Sequence, residues 1–529
     1  MQAQVHERVI HQLLKRQAQA LGGREFLRFG DLSLSLGELD ASSDRVATGL
    51  QDLGVVKGDK VGILMGNRPE FISLWLGLCK LGAVEVPLNT AHRGELLAYM
   101  LSQAECRYLA VEGTFLDRVA PVVEHLPLLE TVLVLDPPPD PPRLDRPLLD
   151  LEALCQNSGC YDEVEVRYGD PFAIIYTSGT SGPSKGALMP HNYALYMGEI
   201  ISRSAGYTTR DRLYNALPLF HGNAQFLSFM AALVSGASTV LAERFSAGQF
   251  WNEVRRHGCT EFNYIGAILP ILLKADPSPD DADNPLRVMV GAGAARDIME
   301  AFEARFQVKL IEGYGMSEIG VPLMNTQENR KPGSCGRPWR DYQVKVVDDQ
   351  GLEVKPGQPG ELYIRPLRPY CMQLEYHRMP DKTVEAWRDL WFHTGDYLLQ
   401  DEDGYFFFLD RKKDALRRRG ENISSYEVER VINSHPRVLE SAVVAVKSDL
   451  GEDEVLACVV LKPQAELTAE ELLDHCQEGM AYFMVPRYLR FMATLPKTLT
   501  EKVQKAQLRQ DGLTPEVWDR ESAGYQLRR

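Results

Sequence analysis

Short apolar strands running straight into glycine-bearing loops, separated by helix-period stretches, are the feature that most narrows what this chain can become. From Leu32 to about Glu112, the strands KVGILM and AVEVPL alternate with stretches such as LGELDASSDRVATGLQDLG. Over roughly 170 to 315, FAIIYT, STVLAE, RVMVGAG and KLIEGYG each read as a buried strand entering a loop. That rhythm predicts βαβ units around parallel sheets, and in open α/β sheets the strand ends are where ligands bind. Beyond Gly333 the period shortens to two, in QVKVVDDQGLEVKPGQPGELYIR and YFFFLDR, which predicts a small antiparallel β-subdomain. The segment after Asp410 reads as helix SSYEVERVINSH, strands ESAVVAVKSD and VLACVVLKP, helix TAEELLDHCQEGM and strand RFMATLP. This αββα+β series has the size of one small domain, so a boundary is expected near Asp410.

Composition excludes several classes. A chain of 529 residues exceeds one ordinary core and implies two to four domains. Its net charge of -15 opposes nonspecific nucleic-acid binding, so any phosphate recognition has to be local. Nine scattered cysteines without metal-ligand spacing predict reduced thiols. The start, MQAQVHERVIHQLLKRQAQA, reads as an amphipathic helix without the features of a secretory signal. Lys80 and the Gly and Pro breaks make the longest apolar runs buried elements and not membrane spans. A cytoplasmic protein, monomeric or homodimeric, is expected. The Pro-rich segment 136–147 is expected to be an exposed connector.

The most informative stretch is YTSGTSGPSKG, Tyr176 to Gly186, directly after the apolar strand FAII. Glycine admits close backbone approach, hydroxyls donate to phosphate oxygens and a lysine adds positive charge. Thr177, Ser178, Gly179, Thr180, Ser181, Gly182 and Lys185 therefore form a candidate phosphate cradle, whereas a flexible linker needs no such density of hydroxyls. It is not a Walker A loop, because Lys185 is followed by Gly186.

Here the sequence resembles the adenylate-forming superfamily of acyl-CoA synthetases, peptide-synthetase adenylation domains and luciferases. The resemblance runs nearly the whole chain, from SLGELD to the C-terminal LPKTLTEKVQK, with ALMPHN and TPEVWDRE most like the crotonobetaine/carnitine-CoA ligase type. It implies an α/β fold: a large N-terminal region of two α/β subdomains plus a β-subdomain over 1–409, a hinge at 410–413, and a small mobile α+β lid domain over 414–529. It also implies ATP, Mg2+ and coenzyme A as the groups bound. The reaction implied forms an acyl-adenylate from a carboxylic acid, then an acyl-CoA thioester with release of AMP and pyrophosphate.

The resemblance also distributes roles. In IEGYGMSE, spanning Glu312, Gly313, Tyr314, Gly315, Met316, Ser317 and Glu318, the Tyr314 ring would pack on adenine, Ser317 would meet the α-phosphate and Glu318 would hold magnesium, with Thr177 as a second metal contact. Asp396 of WFHTGD would accept from both ribose hydroxyls. Gly291, Ala292 and Gly293 would lie against adenine and the acyl pocket, although small residues also pack helices onto sheets. Arg411 would meet the ribose, Lys413 would sit at the hinge, and Gly420 would line the thioester tunnel. Arg417, Arg418 and Arg419 either pair with coenzyme A phosphates or form a solvated face.

Lys502 matches the catalytic lysine, preceded by Glu501 where the family usually has glycine. His221, in PLFHGNAQF, would gate or touch the substrate and not act as a base, since a carboxylate attacking ATP has no proton to lose at neutral pH. A core histidine is the alternative there, and His191 is a second histidine close to the phosphate loop. Asn223, Phe226, Gly266, Gly291, Met316 and Val321 complete the candidate pocket, compatible with a small to medium acid. An adenylation-only enzyme, or a catalytically impaired nucleotide-binding homologue, would share the ATP motifs.

Overall fold

The computed structural model describes residues 7–156, 159–177, 183–266, 268–273, 275–294, 296–348, 350–411, 416–418, 421–423, 425–447, 453–496, 503 and 505–528, with backbone only at 410, 411, 417, 422, 426, 430 and 506. Two compact units result. The first comprises Met1–Thr90, Leu101–Ile175 and Gly186–Asp410; the second comprises Ala91–Met100, Tyr176–Lys185 and Arg411–Arg529. The second unit is thus assembled from three separate stretches of chain.

The strand–helix rhythm produces two large sheets. One has nine strands, in the spatial order Arg337–Pro338, Gly320–Met324, Lys309–Met316, Val288–Ala292, Glu261–Ile265, Arg212–Asn215, Ser238–Leu241, Glu25–Phe29 and Leu32–Ser35. Its interior pairs are parallel, and antiparallel pairs close both ends. The other has eight strands, with Lys60–Leu64, Val84–Pro87 and Pro171–Thr177 near its centre. Interior parallel strands are covered on both faces, which is why they read as unbroken apolar runs. A continuous core joins them, with Trp75, Phe172, Phe229 and Tyr264 among its fully buried rings. Each such ring contributes about 1.5–3 kcal/mol by leaving water.

The period-two segments form the expected antiparallel sheet of Tyr342–Val347, Pro359–Pro366, Trp391–Gln400 and Trp387–Arg388, and Phe406–Arg411 pairs with Trp391–Gln400. Along Trp391–Gln400, Phe392, Thr394, Asp396 and Leu398 are the buried positions, so alternation alone turns Asp396 inward. In the second unit, Val438–Lys447, Asp453–Leu461, Tyr488–Phe491 and Trp518–Asp519 make a four-stranded sheet. The helices Ser425–Ser434, Ala469–Gly479 and Lys505–Asp511 accompany it. Ala469–Gly479 begins at a capping box in which Thr468 and Glu471 satisfy each other's backbone N–H groups.

Two expectations need adjustment. The N-terminal helix spans Ile10–Leu21, and Val9 before it is extended, so the helix occupies only part of the stretch that reads as helical. KLIEGYG does not run into a loop: the strand continues to Met316 and pairs antiparallel with Gly320–Met324. A Cβ at Gly315 would lie 2.3 Å from the Gly320 carbonyl oxygen, so only glycine lets the two backbones meet this closely.

Candidate active site

In the first unit the hairpin of Lys309–Met316 and Gly320–Met324 supplies Tyr314 and, just past the first strand, Ser317 and Glu318. Tyr314 is buried, and its hydroxyl donates to Asp396 Oδ2 at 2.7 Å. Its ring stacks on Phe408, with centroids 6.5 Å apart and planes 24° from parallel. The Asp396 N–H in turn donates to Thr394 Oγ1 at 3.1 Å. An aromatic ring and a ribose-type acceptor, 82 residues apart in sequence, are therefore one hydrogen-bonded unit.

Glu318 is only 4% exposed, so it is not the solvated cap that a lone glutamate after a strand would suggest. Its Oε1 accepts from the Tyr376 hydroxyl at 2.9 Å, and its carbonyl accepts from the Gln373 N–H at 2.8 Å. Tyr376 reaches it because Glu375–Tyr376 pairs with Lys185–Pro190, Tyr376 lying opposite Ala187. Burial, with the Glu318 carboxylate beside it, pushes the Tyr376 phenol well above its ordinary range, so it stays a donor at any physiological pH. The Tyr193 hydroxyl donates to the Ser317 carbonyl at 2.9 Å and fixes the turn from the other side. No grouping of three or more His, Cys, Asp or Glu able to hold a metal occurs among the described residues. One buried carboxylate with one oxygen tied by a phenol still fits magnesium, which keeps waters and phosphate oxygens as most of its ligands.

Glu312 is buried, and its Oε1 accepts from the Tyr264 hydroxyl at 2.9 Å and the Ala294 N–H at 2.8 Å. It thereby ties the Val288–Ala292 strand end to its neighbours. Gly291 lies directly over Tyr264, where a Cβ would sit 2.6 Å from the ring. Ala292 is half-buried, Gly293 exposed and Gly313 buried in the hairpin. Gly266 and Met316 are half-buried and Val321 is buried.

His221 is half-buried, its ring centroid 4.8 Å from that of Phe220. Asn223 and Phe226 lie on a π-helix, Asn223–Phe229. The Phe226 ring is buried edge-on against Phe172 and Tyr193, with centroids 5.6 Å away in both cases. His191, by contrast, is a fully buried core histidine: Nδ1 accepts from the Ile10 N–H at 3.4 Å, and burial holds its pKa well below the ordinary value.

In the second unit, Tyr176 donates its hydroxyl to the Met100 carbonyl at 2.6 Å, and Thr177 Oγ1 donates to the Lys185 carbonyl at 3.4 Å. Ser184 closes the loop's far end. Its N–H donates to Glu427 Oε1 at 2.9 Å, its hydroxyl donates to the same oxygen, and its carbonyl accepts from the Tyr99 hydroxyl at 2.9 Å. Ser178, Gly179, Thr180, Ser181 and Gly182 lie outside the described residues, as do Lys413, Arg419, Gly420, Glu501 and Lys502 and the side chains of Arg411 and Arg417.

Arg418 is a correction. It is 2% exposed and donates through Nη1 to the carbonyls of Phe483 and Val485, both at 3.0 Å, with an ion pair to Glu454 at 2.7 Å. It therefore neither reaches coenzyme A nor forms a solvated face. A guanidinium buried this way is retained because its donors are paired inside, and removing one partner of such a pair costs about 3–5 kcal/mol.

Tyr376, Tyr193 and Glu427 carry much of this geometry and were not singled out from sequence. No local pattern marks them, because each acts through a partner more than 50 positions away.

The AMP-binding enzyme family model matches residues 14–373, and the AMP-binding enzyme C-terminal domain model matches 427–502. The crotonobetaine/carnitine–CoA ligase of Proteus mirabilis is 31% identical over 482 residues, covering 90% of this chain and 92% of that one. The solved o-succinylbenzoate CoA synthetase of Bacillus subtilis, bound to its product analogue, has a TM-score of 0.83 at 25% identity, covering 96% of this chain and 99% of its own. An anthranilate CoA ligase in complex with anthranoyl-AMP has a TM-score of 0.71 at 27% identity, covering 94% and 96%.

Proposed function

Because the chain belongs to the AMP-binding enzyme family, matched in both its large and its C-terminal parts, we propose that the residues described above carry the reaction of an ATP-dependent acid–CoA ligase. The enzyme is an acid–thiol ligase of the AMP-forming acyl-CoA synthetase class, with ATP, Mg2+ and coenzyme A as the groups it uses. A carboxylic acid oxygen attacks the α-phosphorus of ATP, and pyrophosphate leaves. The coenzyme A thiol then attacks the carbonyl of the mixed anhydride, AMP departs with the bonding pair, and the thiol proton passes to solvent.

The observation that carries the assignment of roles is the buried pairing of Tyr314 with Asp396 and of Glu318 with Tyr376. Tyr314 presents a ring face to adenine, and Asp396 accepts from the ribose hydroxyls. Tyr376 holds the Glu318 carboxylate in one orientation for magnesium, which when bound neutralises phosphate charge. Thr177 through Lys185 cradle the phosphates, and Thr177 adds a second oxygen for the metal. Lys502 bridges the incoming carboxylate and the α-phosphate, where transition-state charge accumulates. Residues 410–413 serve as the hinge for the domain over 414–529, since groups that favour adenylation differ from those that admit a thiol. His221, Asn223, Phe226, Gly266, Gly291, Met316 and Val321 contact a small to medium acid. We place the enzyme in the cytoplasm, as a monomer or homodimer. The free thiols fit a reducing compartment, and no helix among the described residues is long and apolar enough to cross a membrane.

Acid-dependent exchange of labelled pyrophosphate into ATP tests the reading, run over a panel of aliphatic, aromatic and quaternary-ammonium acids. Exchange with at least one acid, followed by thioester formation on adding coenzyme A, is expected. Exchange without any thioester would make this an adenylation-only enzyme. Protein that binds ATP with magnesium yet exchanges with no acid would leave only a nucleotide-binding homologue.

A further inference from the structure

The wall that carries His221, Asn223 and Phe226 is held from behind by buried amides. Asn67 Nδ2 donates to the Leu217 and Ala242 carbonyls, both at 2.9 Å, while its Oδ1 accepts from the Leu219 N–H at 2.8 Å. Gln225 Nε2 donates to the Leu219 carbonyl at 2.8 Å and to Glu85 Oε2 at 3.4 Å. Asn215 Nδ2 donates to the Ala224 carbonyl at 3.0 Å, and Asn263 Nδ2 to Ser228 Oγ at 2.8 Å. All six of these polar side chains, Ser228 included, are buried, Glu85 and Gln225 completely. Their contacts on this wall fall between residues 217 and 228, the turn and most of the helix.

That helix is unusual in its spacing. The Met230 N–H donates to the Gln225 carbonyl, five residues back, so one extra residue is accommodated per turn. Such π turns are rare and short, and they persist where the surroundings impose them. Losing the extra residue would rotate every following side chain by about 100° around the axis. The amide partners at 217, 219 and 224 lie on the turn before the helix and on its second residue, where the chain enters the wider spacing.

We infer that Gln225, seated on Glu85, is a positioning residue that holds the π-helix in register and thereby sets which acid the pocket accepts. Gln225 acts through its amide nitrogen, which grips the Leu219 carbonyl and meets the Glu85 carboxyl in the core. Glu85 Oε1 and Gln225 Oε1 have no hydrogen-bond partner among the described residues. Burial favours the neutral form of the Glu85 carboxyl. The inference rests on the reading that His221, Asn223 and Phe226 contact the acid.

The test is steady-state kinetics of the full-length enzyme with Gln225→Leu, beside Phe226→Ala, on the best acids from the exchange panel. Gln225→Leu is expected to raise the KM for the acid about tenfold, the size of one lost buried hydrogen bond, and to reorder the acids, with the KM for ATP within about twofold. A purely structural role would lower the active fraction and the melting temperature without splitting the two KM values. If Phe226→Ala shifts the acid KM and Gln225→Leu does not, the bracket has no part in selectivity and the inference is overturned while the pocket stands. If Phe226→Ala, His221→Ala and Asn223→Ala all leave the acid KM unmoved, the pocket reading falls and takes the inference with it. Should Gln225→Leu not fold, Asn215→Ser removes the donor to Ala224 more gently and has to give the same split.

Discussion

Tyr314, Glu318 and Asp396 sit in or beside sheet strands of the first unit and are tied side chain to side chain by phenol hydroxyls, whereas Thr177, Ser184 and Lys185 in the second unit are held mainly through their backbone, by the Thr177 hydroxyl on the Lys185 carbonyl, the Tyr99 phenol on the Ser184 carbonyl and the Glu427 carboxylate on the Ser184 N–H. The first set is buried, and each lock joins the hairpin of Lys309–Met316 and Gly320–Met324 to another sheet, Trp391–Gln400 through Asp396 and Glu375–Tyr376 through Tyr376. The second set flanks a glycine-rich loop, and its side-chain locks are Glu427, on the helix Ser425–Ser434, and the Tyr99 phenol, which donates to the Ser184 carbonyl. In the proposed function the first set meets the adenosine, which the reaction leaves unchanged, and the second set meets the phosphates, which it does not.

The comparison is sharpened most by Lys502→Ala, expected to slow adenylation by roughly 10²–10³ fold, the range for removing one transition-state donor. Thioester formation from supplied acyl-adenylate should change far less, and equal losses in both half-reactions would show that the lysine does not serve one step. Next is Asp396→Ala. It removes a charged acceptor and leaves the Tyr314 phenol without its partner, so the KM for ATP in adenylation and the KM for supplied acyl-adenylate in thioester formation should each rise about 10–100 fold. An ATP KM unchanged in pyrophosphate exchange would break the claim that the sheet-held set recognises the adenosine.

Glu427→Ala should act on one set only. With Ser184 released, the KM for ATP is expected to rise about tenfold while acid KM holds, and Glu427→Gln should recover part of the loss because its amide oxygen still accepts the Ser184 N–H. Identical behaviour of the two variants would mean the carboxylate does not fasten the loop.

The smallest effect concerns the core behind the pocket. Burial holds the Glu85 carboxyl well above its ordinary value of 4.5, and Cys79, coupled to it, is pushed up by burial and by Glu85. From the ordinary carboxylate range upward, the unfolded chain gives up a proton that the fold keeps, so this group takes stability away as pH rises and contributes nothing at about pH 3, where both states are protonated. Glu85→Gln should therefore raise the melting temperature by about 1–2 °C at pH 8, with the gain fading towards low pH. A melting temperature lowered at every pH would show that the fold does not hold the Glu85 carboxyl protonated.

Much of this was legible in sequence. The strands at 171–177, 288–292 and 309–316 announce themselves by apolar runs, and Asp396 faces inward by simple alternation. Arg418 was not legible, because in the run Arg417 to Arg419 all three residues look alike, and only the carbonyls of Phe483 and Val485 distinguish one of them. Nor did any pattern separate His191, fully buried, from His221, half-buried.

By itself, then, the sequence determined the order of elements, the family and the chemical types assembled for ATP, because periodicity and motif chemistry are local properties of neighbouring residues. Only the tertiary structure decided which tyrosine locks which carboxylate, that the helix after His221 is a π-helix, and that Arg418 belongs to the core. Those depend on strand register and on amide partners far apart in the chain, and a hydrogen bond's geometry is set by the packing that brings its two ends together.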